Sequence, residues 1–208
     1  LYFHENQLAY PWSPEDRDIA QKRDQHYGFI NYASSLAADV IFFNSAFNRD
    51  SFIRVLRPFL KHFPDYNELA TIEDIARKSS VLPLGLDLAR FDIAKQDKAD
   101  GPPIILWNHR WEFDKNPSDF FKAINVLDDE GLDFRLVLLG ENFRKVPAEF
   151  LAAKDRFGDR ILHYGYAENQ EEYAHWLWRS HILPVVSHHD FFGISVVEAV
   201  YCGCLPLL

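Results

Sequence analysis

The segment Asp190-Phe191-Phe192-Gly193-Ile194-Ser195-Val196-Val197-Glu198-Ala199 places two carboxylates on either side of a glycine. Ile182 to Ser187 before it has the apolar character of a short buried strand. Ile194 to Tyr201 after it sets Ile194, Val197, Glu198 and Tyr201 at helical spacing. The glycine loop therefore belongs at the carboxyl end of a strand, where open α/β sheets bind ligands. Gly193 lets the backbone approach a ligand closely, and the N–H groups that open a helix favour an anionic oxygen such as a phosphate supplies. A carboxylate in the first turns of that helix can accept two hydrogen bonds from a vicinal diol such as a ribose. Glu198 stands at that position, and Asp190 on the loop can hold a second hydroxylated ring. Together these residues describe a pocket for a nucleotide sugar.

A second loop, Trp107-Asn108-His109-Arg110-Trp111-Glu112-Phe113-Asp114-Lys115-Asn116-Pro117, lies between a predicted strand and a predicted helix in the same half of the chain. Arginine offers a planar fork to phosphate oxygens and lysine a mobile point charge, so Arg110 and Lys115 can neutralise a diphosphate without a metal. In isolation they would read as an ordinary surface pair; their place at the end of a strand favours the phosphate reading. Trp111, Phe191 and Phe192 read equally as stacking surfaces for a base or sugar and as core. Glu198 alone would read as a helix-surface carboxylate, but Val196, Val197, Ala199 and Val200 around it argue for partial burial with a partner. His4, at the end of a predicted strand and beside Glu5, reads either as a satisfied buried histidine or as a functional one. His188-His189-Asp190 suggests a metal site, but neighbours on an extended segment point opposite ways and no distant ligand accompanies them. Asp16-Arg17-Asp18 follows Pro14 rather than a strand and reads as a solvated turn. No metal is expected. Arg54, Arg57 and Lys61 fall at i, i+3 and i+7 opposite an apolar stripe, as a solvated face or as a weak candidate contact for RNA.

The elements that must hold these loops alternate between strand and helix from end to end, which argues for α/β with parallel sheets. Phe29, Ile30, Ala33, Leu36 and Ala37 form one helical stripe, Val40 to Phe43 a strand, and Ser45 caps a helix carrying Phe52, Ile53, Leu56 and Leu60. A helix across Glu68 to Arg77 leads to a strand over Val81 to Leu84. Strands are predicted at 104–108, 134–139, 161–164 and 182–187. Helices are predicted from Asn116-Pro117, near 147–157, near 170–178 and over 194–201. The polar, proline-rich stretch 95–103 is the expected linker between an amino-terminal domain, 1–94, and a carboxyl-terminal domain, 104–208. Two Rossmann-like halves facing a cleft are the economical architecture. The chain opens in what reads as the tail of one strand and closes in the start of another, so it reads as part of a longer protein.

The chain of 208 residues, 48% hydrophobic and 15% aromatic, suffices for one sizeable core or two small ones. A net charge of −9 argues against non-specific nucleic-acid binding while leaving room for a local basic patch. Cys202 and Cys204 are too close together for a disulfide and too few for a zinc site, which makes them small buried side chains. No apolar run reaches membrane-spanning length and no signal-type leader is evident, so no membrane partner is expected and a cytoplasmic location is. Oligomeric state is not legible.

The two loops together resemble the nucleotide-binding half of the retaining GT-B glycosyltransferases of family four. The pattern is an Arg and Lys pair in an early loop, then a Glu, seven residues including Phe-Gly, and Glu-Ala. Here Asp190 stands for the first Glu and His109 for the usual Gly before Arg110. Leu82-Pro83-Leu84-Gly85-Leu86-Asp87-Leu88-Ala89-Arg90-Phe91 is similar to the hinge segment of the family. Tyr2-Phe3-His4 through Tyr10-Pro11, Gln25-His26-Tyr27-Gly28 and Phe43-Asn44-Ser45-Ala46-Phe47-Asn48 resemble a branch that modifies queuosine in tRNA. So do Trp107 to Lys115 and Phe191 to Cys204.

The resemblance implies transfer of mannose from GDP-mannose, with retained anomeric configuration, to queuosine at the tRNA wobble position. It implies donor binding by Arg110, Lys115, Phe192, Gly193 and Glu198. His4, Asp190 and Glu198 are implied as the residues of the reaction centre, His4 touching the donor sugar. A nucleotide sugar and tRNA are the implied partners, with no metal cofactor. The alternatives are a family-four enzyme with a glycan, lipid or small-molecule acceptor, and a non-catalytic nucleotide- or RNA-binding relative.

Overall fold

The computed structural model describes residues 1–10, 25–141 and 146–208, so Asp16-Arg17-Asp18 lies outside the described residues. The chain forms two compact units. One comprises Leu1–Gly85 with His189–Phe192, the other Leu86–His188 with Gly193–Leu208.

The first unit holds β1 (Tyr2–Phe3), α1 (His26–Ala37), β2 (Ile41–Phe43), α2 (Ala46–Lys61), α3 (Thr71–Arg77) and β3 (Ser79–Val81). Its three strands run parallel in the order β1-β2-β3, with Phe3 opposite Phe43 and Phe43 opposite Val81. Alternate residues Ile41 and Phe43 of β2 are fully buried, as period-two burial requires. The Ser45 hydroxyl accepts the Asn48 amide at 3.0 Å, capping α2 as its sequence predicts. Phe52, Leu56, Phe59 and Leu60, one stripe of α2, pack with Phe3, Phe43 and Tyr32.

Two expectations shift here. Phe29, Ile30 and Leu36 of α1 are exposed, and the buried face is Gly28, Tyr32 and Ser35 at i, i+4 and i+7. Gly28 fits because a Cβ there would meet the Leu8 side chain at 2.7 Å, and Tyr32 anchors the face by its hydroxyl, 2.9 Å from Thr71 Oγ1. The third strand covers Ser79–Val81 rather than 81–84. Leu82 still donates to the Phe43 carbonyl at 2.8 Å, but Pro83 next to it has no N–H to continue the ladder.

The second unit opens with a 3₁₀ segment, Ala89–Ala94. Then follow β4 (Ile104–Asn108), a 3₁₀ turn at Phe113–Lys115, α4 (Pro117–Asp129), β5 (Arg135–Leu139), α5 (Ala148–Phe157), a 3₁₀ turn at Gly158–Arg160 and β6 (Ile161–Gly165). It ends with α6 (Gln170–Arg179), β7 (Ile182–Pro184), α7 (Ile194–Tyr201) and β8 (Leu205–Leu207). The sheet is parallel throughout in the order β6-β5-β4-β7-β8. Every residue of β4 is buried, with Ile104 and Leu106 facing one core and Ile105 and Trp107 the other. One core gathers Phe91, Val137, Leu177, Leu183, Ala199 and Cys202; the other gathers Trp111, Phe120, Ile124, Leu138, Phe150 and Phe157.

The division falls at Gly85 and Leu86, ahead of the expected linker 95–103, which lies inside the second unit. Composition marks 95–103 as loop, but Lys98 stitches it down, donating to the carbonyls of Cys202 at 2.9 Å and Leu177 at 3.4 Å, and to that of Ser180. Phe91, ahead of the linker, is fully buried in the second unit's core. Cys202 and Cys204 are free and buried, as expected. Burial pushes their thiols up to about 12 and about 11 respectively, with Lys98 pulling the other way. Among the described residues no helix is long and apolar enough to cross a membrane.

Candidate nucleotide-sugar site

The sheet order sets the site. From β4 the chain winds through β5 to β6 on one side, and then through β7 to β8 on the other. The switch point therefore lies between β4 and β7, and the carboxyl ends of strands at such a point are where open α/β sheets bind ligands. The loop 109–116 follows β4 and the segment leading to α7 follows β7, so both sequence-predicted loops flank this point.

Two tryptophans hold the first loop. Trp107 Nε1 donates to the His109 carbonyl at 2.8 Å. The Trp111 amide donates to the Glu141 carbonyl at 3.1 Å and its indole N–H to the Leu139 carbonyl at 3.3 Å. The Trp111 ring stacks on Phe150 at 4.2 Å and is 2% exposed, so it is core and not a platform for a base. Gly140, at φ +116°, completes the support, since a Cβ there would lie 2.2 Å from the His109 carbonyl oxygen. Arg110 is displayed to solvent between the anchors, 3.2 Å from Glu112. Lys115 is more enclosed, 3.2 Å from the Asp114 carboxylate. Asn116, in the left-handed region at φ 56°, caps α4 and donates from Nδ2 to the Val186 carbonyl at 3.0 Å. The His188 amide donates to the Asp114 carbonyl at 2.9 Å, tying the two loops together.

The second loop enters α7 through Gly193, whose φ of 73° and ψ of 44° are open to glycine at little cost. The first turn of α7 is clamped to the end of β4. Asn108 Nδ2 donates to the Ser195 carbonyl at 2.7 Å, and His109 Nδ1 lies 2.9 Å from Ser195 Oγ. His109 thus acts as a strut between the Arg110 loop and the helix mouth. One turn on, Glu198 is 6% exposed. Arg90 Nη2 donates to its Oε1 at 2.7 Å, and the Tyr173 hydroxyl to its Oε2 at 2.9 Å. Burial first, and then the Glu198 charge, raise the Tyr173 phenol well above its ordinary value and keep it a donor. The partner expected for Glu198 is therefore a pair. Arg90 lies within the hinge-like motif, whereas nothing local in the sequence signals Tyr173.

In the first unit, His4 follows β1 and its side chain is exposed, which excludes the reading as a buried core histidine. Its backbone is fixed by a buried amide network that sequence reasoning missed. Asn44 Nδ2 donates to the His4 carbonyl at 2.8 Å and Asn48 Nδ2 to the Phe3 carbonyl at 3.2 Å. Asn6 Nδ2 donates to Asn48 Oδ1 at 2.7 Å. The repeated Asn in Asn6, Asn44 and Asn48 is the signal that could have found it.

Asp190 and Phe192 belong to the segment grouped with this first unit, whereas Arg110, Lys115, Gly193 and Glu198 lie in the second. Phe191 is buried, its ring 4.2 Å from that of His189, and its carbonyl accepts the Ser45 hydroxyl. Arg54, Arg57 and Lys61 all face solvent on α2, as a solvated face requires. Among the described residues no group of three or more His, Cys, Asp or Glu side chains is placed to hold a metal ion.

Comparison with known proteins finds relatives for both parts of the chain. Residues 1–86 match the family described as tRNA-queuosine alpha-mannosyltransferase N-terminal, and residues 89–208 match glycosyl transferases group 1. The chain is 37% identical over 215 aligned residues to the tRNA-queuosine alpha-mannosyltransferase of Drosophila melanogaster, covering 100% of this chain and 55% of that protein. It is 31% identical over 105 residues to the D-inositol 3-phosphate glycosyltransferase of Xylanimonas cellulosilytica, covering 49% of this chain and 24% of that protein. The chain thus spans about half the length of the first of these relatives and less of the second. Among solved structures, a UDP-forming trehalose-phosphate synthase from Burkholderia xenovorans superposes with a TM-score of 0.64 at 18% identity, over 97% of this chain and 50% of that one. That likeness establishes the GT-B type of α/β fold. With the group 1 match spanning the whole of the switch-point site and the amino-terminal part matching the tRNA-queuosine alpha-mannosyltransferase N-terminal family, the chain belongs to the group 1 glycosyltransferases of GT-B fold.

Proposed function

We propose that the full-length protein is a retaining glycosyltransferase that moves mannose from GDP-mannose to a hydroxyl of queuosine in tRNA, in the cytoplasm. The observation that carries the donor half of this reading is the β4/β7 switch point. There Arg110, Lys115, the mouth of α7 and the buried Glu198 supply cations, N–H donors and a carboxylate, the kinds of group that the diphosphate and ribose of a sugar nucleotide would use. The acceptor half is supported by the match of residues 1–86 and by the 37% identity to the Drosophila protein.

In the proposed reaction the acceptor hydroxyl oxygen forms a bond to the anomeric carbon on the face that the diphosphate leaves. The bond from that carbon to the β-phosphate oxygen breaks, and the hydroxyl proton passes to the departing phosphate. Arg110, Lys115 and the helix mouth stabilise the growing negative charge, which is larger in the transition state than in the bound donor. Glu198 orients the nucleotide through its ribose. His4 and Asp190 are the proposed sugar contacts, Phe192 and Gly193 are further proposed donor contacts, and no metal is invoked.

The test is a transfer assay on the full-length protein with GDP-mannose or UDP-sugars, and tRNA with or without queuosine. Queuosine-dependent incorporation of mannose is the expected result. Donor binding without incorporation would overturn the acceptor and leave a glycan, lipid or small molecule as the alternative. Glu198→Ala should weaken donor binding by at least about tenfold, the loss of one charge-assisted hydrogen bond. Unchanged affinity would overturn the pocket.

A further inference from the structure

We infer that Arg90 and Tyr173 are positioning residues of the nucleotide site, which hold the Glu198 carboxylate in the one orientation that can grip a ribose diol. The inference rests on the proposed nucleotide-sugar reading and adds two residues to it.

Glu198 sits on a helix whose neighbours Val196, Val197, Ala199 and Val200 are apolar, and it is 6% exposed. A carboxylate so enclosed needs partners. It has one on each oxygen, from two different elements. Arg90 reaches Oε1 from the 3₁₀ segment at 2.7 Å, and Tyr173 reaches Oε2 from α6 at 2.9 Å. A carboxylate held at both oxygens cannot turn about its terminal torsion. Each oxygen has two lone-pair positions, so each keeps one acceptor position beyond the contact described. Two acceptor positions on one rigid plane are what a vicinal diol requires.

The partners are themselves braced against each other. The Arg90 guanidinium lies 4.8 Å over the ring of Phe91, which is fully buried. Trp178 of α6 donates its indole N–H to the Phe91 carbonyl at 2.8 Å, and the Tyr173 ring meets that of Phe91 edge-on at 5.9 Å. The 3₁₀ segment and α6 thus form a single mount, and Glu198 enters it from α7. Rigid support behind a binding group sets how well that group discriminates.

The two roles open to the cluster, structural ion pair or ribose mount, differ in what they do to ribose selectivity. GDP and 2′-deoxy-GDP are titrated into the full-length protein and into Glu198→Gln, Arg90→Met, Arg90→Lys and Tyr173→Phe. UDP and its 2′-deoxy form replace them if the donor assay selects uridine. Wild type should prefer the ribonucleotide by about tenfold, the worth of one charge-assisted hydrogen bond. Arg90→Met and Tyr173→Phe should cut that preference to about threefold or less, with the deoxynucleotide, which keeps its 3′-hydroxyl contact, weakened by a smaller factor than the ribonucleotide. Arg90→Lys should recover part of it.

A purely structural role would weaken both nucleotides alike and leave their ratio intact. Full preference in Arg90→Met and Tyr173→Phe, with Glu198→Gln flattened, overturns the inference and spares the pocket. Full preference in Glu198→Gln overturns the ribose role of Glu198 and the inference with it. If Arg90→Met does not fold, Arg90→Lys and Tyr173→Phe decide by the same ratio.

Discussion

Arg110 and Lys115 share one loop but stand in different surroundings, and their substitutions should separate accordingly. Arg110 projects to solvent beside Glu112, so Arg110→Met removes the charge proposed to meet the donor phosphates without disturbing packing. Lys115 faces the largely buried Asp114 carboxylate at 3.2 Å, and its loss takes a cation from an enclosed anion. Arg110→Met is expected to weaken donor binding by about tenfold or more with an unchanged melting temperature. Lys115→Met is expected to lower both. Calorimetric titration of the nucleotide and a thermal melt of each variant check this, and equal melting temperatures would contradict the assigned surroundings. Residue types and spacing marked both cations in the sequence. Burial decided how they differ, and burial depends on which segments meet: the 185–188 stretch closes over the Asp114 turn through the His188 amide. Likewise the apolar neighbours of Glu198 announced a buried carboxylate, yet its partners stand 108 and 25 residues away along the chain. No local pattern reaches that far.

At the scale of the element, β4 and the turn after it are where sequence and site meet. Gly140, at the end of β5, leaves space for the carbonyl of His109 and so for the backbone that displays Arg110. Gly140→Ala would put a Cβ 2.2 Å from that oxygen at a φ of 116°, a contact that backbone must move to relieve. It should lower stability by about 1–3 kcal/mol and weaken donor binding as well, because the moving segment is the Arg110 loop. A denaturation curve and a nucleotide titration on one preparation test both, and lost stability with donor affinity intact would show that the loop does not follow its support. The capping of α2 by Ser45 and the apolar stripe of that helix were legible, since caps and period lie within a few residues. The buried face of α1 was not. Its apolar residues form more than one candidate stripe, and the choice fell to Tyr32 and Gly28, which fit Thr71 and Leu8 across the unit.

For the molecule as a whole, the two units have separate cores, so a nucleotide bound at the proposed site should act first on the second one. A ligand that binds only the folded form at a hundred times its dissociation constant adds about 2.7 kcal/mol of stability. Hydrogen exchange of the full-length protein with and without GDP should show the gain concentrated in β4, loop 109–116 and the first turn of α7. Protection gained only in the first unit would contradict the proposed site. By itself the sequence determined the alternation of strand and helix, the parallel α/β class, the positions of the two loops after their strands, and the buried character of the cysteines. These follow from periodicity, turn residues and side-chain type, all of which are local. Only the tertiary structure decided the order β6-β5-β4-β7-β8, which puts the Arg110 loop beside the Gly193 loop. It alone moved the boundary to Gly85, by burying Phe91 and pinning Lys98 in the second unit. It alone paired Glu198 with Arg90 and Tyr173. A strand's pattern specifies which of its faces is buried; its neighbour is set by packing between segments far apart in the chain.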